Sequence, residues 1–188
     1  MEHTTSKMEA VADFLRSNTK KIAVAIAGLV IFSLLFGIPV KTTFMVLLLI
    51  LAASFSTYYF NYFRAPVNFE LVKLSTILVA ASHGLLPGLA VGIASTFFGK
   101  VLIGRIDEKL PLSLLTISII AVAAAIFNSA NITTLGITLV AAYNFTMLTL
   151  SLLMGGDLAW NIPYEGTNLL FNAFLFIKVA PILQQLIR

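Results

Sequence analysis

The apolar runs of this chain constrain its fold more than any other feature, because each is close to the length that a membrane-spanning helix needs. A hydrocarbon core about 30 Å thick requires about 20 apolar residues per helix. The windows that approach this length lie near 22–40, 42–61, 69–83, 85–103, 111–128, 131–153 and 166–187. The third window is short, and its helix could be tilted, re-entrant or buried among its neighbours. The runs predict an all-α integral membrane protein, a multi-pass bundle of six to seven transmembrane helices in the cell membrane.

The composition is typical of this class of protein. Of the 188 residues, 59% are hydrophobic and 11% are charged, whereas a soluble domain carries about 25% charged residues. Residues 1–21 are polar, and 22–188 form the predicted transmembrane domain. Apolar residues at helical spacing in the first region indicate an amphipathic helix on the membrane surface, although a solvated tail fits equally well. The net charge of +4 indicates topology signals and contacts with the lipid bilayer, and gives no argument for nucleic acid.

Three glycines near the middle of the chain, Gly84, Gly88 and Gly92, recur at every fourth position. On a helix they would share one face and leave a shallow groove. Lipid supplies little hydrophobic drive between helices, so close backbone approach over small residues becomes a main source of packing energy. We therefore predict helix packing at these glycines, and at a second pair of small residues, Ala23 and Ala27.

The side chains that most enzymes use are scarce. The chain has no cysteine, and its two histidines, His3 and His83, lie far apart, so no zinc-site spacing is present. No phosphate-binding loop and no Gly-x-Ser-x-Gly nucleophile turn occur. The acidic clusters of metal-dependent lipid enzymes are also missing. The sequence predicts a protein that is not an enzyme, with no catalytic residue, metal or cofactor.

The candidate ligand site is the polar stretch 154–166, which is predicted to be a loop. A small polar solute could be oriented there by amides, stacked on aromatic faces and selected by charges. The predicted substrate-binding residues in the stretch and in the adjoining helices are Asp157, Trp160, Asn161, Tyr164, Glu165, Tyr143, Asn144, Asn168 and Asn172. The alternative is an interfacial anchor, since tryptophan and tyrosine favour the headgroup level.

Two charged residues, Glu70 and Lys73, fall at the start of the third apolar run. Charges within a span are costly, so each requires a reason. Three residues apart, the two are close enough to pair on one helix face. Mutual pairing or snorkelling would explain them without a ligand.

Several short motifs resemble the substrate-binding (S) components of energy-coupling factor vitamin transporters. They are Pro66-x-x-x-Glu70-Leu71, Gly84-x-x-Pro87-Gly88-x-x-x-Gly92, and the last-helix residues 168–172 and 181–183. The resemblance covers about 42–187 and implies six membrane helices, a small-molecule site near the outer face, and partner transmembrane and ATPase subunits. Rod-shape scaffold proteins of the MreD type have similar helices and are a close rival.

Two functions therefore remain open. The first is a membrane-embedded component that binds and transports a small, vitamin-like solute with an energising partner. The second is a non-catalytic scaffold or assembly subunit whose glycine grooves pack against partner helices. The loop charges bear on orientation, because basic loops face the cytoplasm. They predict that the N-terminal tail and the loop bearing Lys109 are cytoplasmic, whereas the resemblance would place both outside.

Overall fold

The fold is known from a computed structural model that describes residues 27–28, 30–31, 33–63, 65–104, 106–107 and 109–187. The predicted surface helix in 1–21, residue Ala23 and the start of the first predicted span lie outside the described residues. The chain forms two compact units, 1–44 and 45–188. In the first unit a helical segment ends at a turn on Gly37, whose φ is +63°, close to the end of the first apolar window at residue 40. Ala27 in this segment is exposed.

Helices account for all the regular structure in the described part of the chain. They are α1 (Val40–Phe55), a 3-10 turn (Tyr58–Asn61), α2 (Val72–His83), α3 (Leu85–Leu102), α4 (Leu110–Ile126), α5 (Ile132–Leu153), α6 (Leu158–Lys178) and α7 (Ala180–Ile187). Asn131 begins α5 by accepting hydrogen bonds from the backbone N–H groups of Thr133 and Thr134, which satisfies two of the free donors at the start of a helix.

Helix α2 is the centre of the second unit. It contacts α3, α4, α5, α6 and α7, and ten of its 12 residues are buried. A helix of this length rises only about 18 Å, which is too short to cross the hydrocarbon core. Of the three arrangements predicted for the short third run, the structure shows a helix buried among its neighbours.

Three described helical segments are long and apolar enough to cross a membrane: Val40–Asn61, Leu85–Leu102 and Ile132–Leu153. Helices α6 and α7 meet at a bend of 55° and provide a fourth if the bent pair is one span. Helices α2 and α4 are apolar but shorter. Length and composition therefore support three or four spans in the described part, and the predicted number of six to seven is not reached by these criteria.

The predicted glycine face holds α2 and α3 together through two of its three members. A Cβ added at Gly88 would lie 2.7 Å from the Cα of Ala80, and one at Gly92 would lie 3.0 Å from Thr76. Gly84 has a different role. It separates α2 from α3 with a φ of +88°, a conformation that costs glycine little, and no atom lies within 4 Å of an added Cβ. The structure thus gives Gly84 no packing contact, because the helix breaks there, at the predicted boundary between the apolar runs 69–83 and 85–103.

The polar stretch 154–166 is mostly helical, which corrects the prediction of a loop. Only 154–157 lie between α5 and α6, where Gly155 has a φ of +79°. The Asp157 side chain accepts a hydrogen bond from the N–H of Ala159 at 2.9 Å and so caps the start of α6. Pro163 and Gly166 are typical of loops but lie inside α6. Most of the polar residues of this stretch therefore lie on α6.

Candidate functional site: a polar cavity at one end of the helices

An irregular segment, 67–71, leads into α2 and forms part of the site. Backbone groups away from water must find partners within the protein. The hydroxyl of Tyr59 donates to the carbonyl of Val67 and accepts from the N–H of Phe69, each at 2.9 Å. The N–H of Leu71 donates to Ser56 Oγ at 2.9 Å. The polar side chains that follow α1 thus fix one side of the segment.

Helix α6 holds the other side of the same segment. Thr167 Oγ1 accepts from the N–H of Asn68 at 3.0 Å. Asn168 Nδ2 donates to the carbonyl of Asn68, and Asn172 Nδ2 donates to the carbonyl of Glu70, both at 3.4 Å. Asn168 and Asn172 are fully buried. These two predicted ligand residues therefore position the backbone of 68–70 rather than face a solute.

An ion pair lies between this segment and α2. Lys73 Nζ pairs with Glu70 Oε1, and the Lys73 side chain is 1% exposed. The ammonium also lies 4.2 Å from the centre of the Tyr143 ring, where the negative face of the ring attracts a cation. The predicted pairing of Glu70 and Lys73 is confirmed, although Glu70 precedes the first helical residue.

A cavity of about 200 Å³ opens beside this segment. Its lining comes alternately from the ends and the starts of successive helices. These are the residues after α1, the start of α2, the end of α3, the start of α4, the end of α5 and the start of α6. Four aromatic side chains contribute to the wall: Phe60, Tyr143, Trp160 and Tyr164. The rings of Phe60 and Tyr164 are stacked with centroids 5.9 Å apart. A cavity with apolar and aromatic walls and a few placed polar groups is the usual form of a small-molecule site.

A chain of hydrogen bonds connects three residues of the lining, Lys109, Ser151 and Asn161. Lys109 Nζ donates to Ser151 Oγ at 2.9 Å, and Ser151 Oγ donates to Asn161 Oδ1 at 3.1 Å. Asn161 Nδ2 in turn donates to the carbonyl of Asp157 at 2.8 Å. Gly156 permits this contact, because a Cβ there would lie 2.6 Å from Ser151 Oγ.

Several polar groups of the lining have no partner among the described residues. No ion pair or hydrogen bond to the carboxylate of Glu165 is present in that part of the chain, and its Oε2 is buried. Asn68 Oδ1 and Ser95 Oγ are likewise buried without a hydrogen bond there. Such groups are costly when they are left away from water. They are places where a bound molecule would add the missing contact.

Five of the nine predicted substrate-binding residues line the cavity, and the list is Tyr143, Trp160, Asn161, Tyr164 and Glu165. The other four do not line it. Asp157 caps α6, Asn144 Nδ2 donates to the carbonyl of Glu165 at 3.1 Å, and the two remaining asparagines hold 68–70. Sequence reasoning missed Asn68, Ser95 and Lys109 as parts of the wall. For Lys109 a signal existed, since a lysine directly before an apolar run can turn inward as well as mark topology.

No group of three or more histidine, cysteine, aspartate or glutamate side chains in the described ranges could hold a metal ion. No protein-family model matches the chain, and neither a curated protein nor a solved structure matches it.

Proposed function

We propose that this chain is a non-enzymatic, multi-pass protein of the cell membrane that binds a small solute in the cavity and passes it on as part of a transporter. The observation that carries the proposal is the cavity itself: about 200 Å³, with stacked rings on one wall and unpartnered polar groups on another. A helix bundle that served only to pack against partners would have no need of buried polar groups without partners, since each of them costs stability.

The proposal includes six to seven crossings of the membrane. The first predicted span, α1, α3, α4, α5 and the bent pair of α6 and α7 make six, and the buried helix α2 together with the irregular segment before it would make a seventh. It also includes a partner. The sequence has no phosphate-binding loop, so energised transport requires partner transmembrane and ATPase subunits, as the resemblance to the S components of vitamin transporters implies.

The single tryptophan provides a direct test, because Trp160 lines the cavity and is 43% exposed. Protein purified gently in mild detergent is first examined by mass spectrometry for a co-purifying solute. That solute is then titrated into washed protein while Trp160 emission is recorded. We expect a saturable change in emission.

Matched variants separate binding in the cavity from binding elsewhere. Tyr164→Ala removes a lining ring and should weaken binding about 2- to 10-fold, the equivalent of one aromatic contact. Tyr62→Ala removes an exposed ring outside the lining and should leave binding unchanged. Absence of any co-purifying solute would favour the scaffold function, and equal behaviour of the two variants would place binding outside the cavity.

A further inference from the structure

The charges that line the cavity fall into pairs with two exceptions. Glu70 pairs with Lys73, and Asp107 pairs with Lys100 at 3.4 Å. This leaves Glu165 and Lys109, one carboxylate and one ammonium, both in the lining. Neither has an ion-pair partner within the ranges that the structure describes. Counted over the described residues, the cavity therefore presents one unmatched charge of each sign.

The two residues with unmatched charges are linked through Asn161 on α6. Lys109 Nζ is joined through Ser151 Oγ to Asn161, by contacts of 2.9 and 3.1 Å. Glu165 follows Asn161 by four residues on α6, a rise of about 6 Å. No ion pair joins the two side chains in the described part of the chain. Both line one cavity of about 200 Å³, so one small molecule bound there can reach both.

The surroundings of Glu165 favour a ligand that brings a cation. A carboxylate in a poorly hydrated site is costly unless it is paired and hydrogen-bonded. The neighbouring aromatic side chains, Tyr164 and Trp160, favour an ammonium group beside their rings and an apolar body against their faces. Asn68, which is 2% exposed and has an unpartnered Oδ1, adds an acceptor for a further N–H group of the ligand.

We propose that the cavity binds a small zwitterion, with its ammonium group on Glu165, its carboxylate on Lys109 and an apolar or aromatic body against Tyr164 and Trp160. This inference rests on the proposed function and narrows it to a ligand class. A ligand with only one charge would leave the other unmatched charge of the cavity without a partner.

Three probes with the same aromatic body test the charge requirement: phenylalanine, 2-phenylethylamine and 3-phenylpropanoate. Calorimetry on the full chain in mild detergent measures each, and the zwitterion series extends from glycine to tryptophan to find the body of the best size. We expect the zwitterion to bind at least 10-fold more tightly than either singly charged analogue. Comparable binding of the amine or of the acid alone would overturn the proposal, and so would a series in which no zwitterion binds.

Variants that remove one charge of the cavity test which residue binds the ammonium group of the ligand and which binds its carboxylate. Glu165→Gln should abolish the preference for phenylalanine over 3-phenylpropanoate, and Lys109→Gln should abolish its preference over 2-phenylethylamine. Asp157→Asn and Lys178→Gln are matched controls, because neither residue lines the cavity and asparagine caps a helix as well as aspartate does. A preference that survives both Glu165→Gln and Lys109→Gln would refute the assignment.

A second measurement does not depend on the choice of probe. Glu165→Gln removes an unpaired buried charge, so it should raise the melting temperature of the ligand-free protein, whereas Asp157→Asn should not. A lower melting temperature for Glu165→Gln would mean that the carboxylate already has a partner, which contradicts the proposal.

A co-purifying solute with no charge or one charge would overturn the ligand class and leave the proposed function standing. No co-purifying solute and no binding by any zwitterion would remove both.

Discussion

The contact of α2 with α3 makes a sharp prediction for the smallest possible change, Gly88→Ala. The new Cβ would lie 2.7 Å from the Cα of Ala80, whereas ordinary van der Waals contacts of a Cβ begin at 3.4 Å. The two backbones would therefore have to separate by about 0.7 Å, the difference between these distances. The added Cβ would also overlap the Cβ of Ala80, which has no freedom of rotation, so no side-chain movement can relieve the contact.

The expected magnitude follows from two opposing effects. Overpacking of a tight interior typically costs about 1–3 kcal/mol, and the upper end applies where backbone meets backbone. Alanine in place of glycine within a helix returns about 1 kcal/mol. Gly88→Ala should therefore lower the free energy of unfolding by about 2 kcal/mol. The same substitution at Gly166, within α6 and with no atom within 4 Å of an added Cβ, should raise it by up to about 1 kcal/mol.

The assay is unfolding of the purified protein from mild detergent by added dodecyl sulfate, followed by Trp160 emission. Two variants with the same chemical change should move in opposite directions, so errors common to both cancel in their difference of about 3 kcal/mol. Gly88→Leu should lose folded protein altogether, while Leu89→Ala should be tolerated far better. If Gly88→Ala is as stable as Gly166→Ala, the glycine face does not hold α2 against α3 and the packing argument fails.

Two further pairs of residues give predictions that the same assay measures. Lys73→Met leaves the carboxylate of Glu70 without its partner and should lower the free energy of unfolding by about 3–5 kcal/mol. Adding Glu70→Gln should restore most of that loss. If the effects of the two substitutions simply add, the ion pair does not stabilise this region. A Cβ at Gly136 would overlap the buried ring of Phe176, so Gly136→Ala should be strongly destabilising alone and nearly neutral beside Phe176→Ala, and equal costs in both backgrounds would contradict the contact.

The sequence predicts the helices, the close approach at Gly88 and the pairing of Glu70 with Lys73 because each of these depends on spacing within one stretch. Periodicity reports which residues share a face, and a charge three positions from its opposite has few other partners in an apolar setting. The exception is Gly84, which shares the spacing of the glycine repeat but ends α2. Spacing alone cannot show where a helix stops.

The cavity could be predicted only in part, because its walls come from six segments that are distant along the chain. The polarity at the start of α6 is informative about the site, but it predicts a loop where the structure has a helix. Polar residues indicate a loop when they face water, whereas Asn161 and Glu165 line a cavity inside the protein. The residues that line the cavity together with them, Lys109 and Asn68, follow from the tertiary arrangement and from no local pattern.

The basic residues near the cavity predict the side of the membrane on which the cavity opens. The lining segments lie at one end of the set of helices, and Lys100 and Lys109 line the cavity there. In the sequence, Arg64 and Arg105 fall in the stretches that follow α1 and α3. Basic residues in short loops concentrate on the cytoplasmic side. The mouth of the cavity should therefore face the cytoplasm, together with the basic N-terminal tail.

Cysteine labelling tests this orientation cleanly, because the native chain has no cysteine. Asp107 is 42% exposed and lines the cavity, so a cysteine there reports the side on which the mouth opens. We expect Ser6→Cys and Asp107→Cys to react with an impermeant maleimide only after the membrane is opened, with the same dependence in both. Labelling of the two from opposite sides would refute the orientation. A cytoplasmic mouth would mean that the described conformation is the one that releases an imported solute or captures one for export, in contrast to the outward-facing site of the vitamin-transporter components that the sequence resembles.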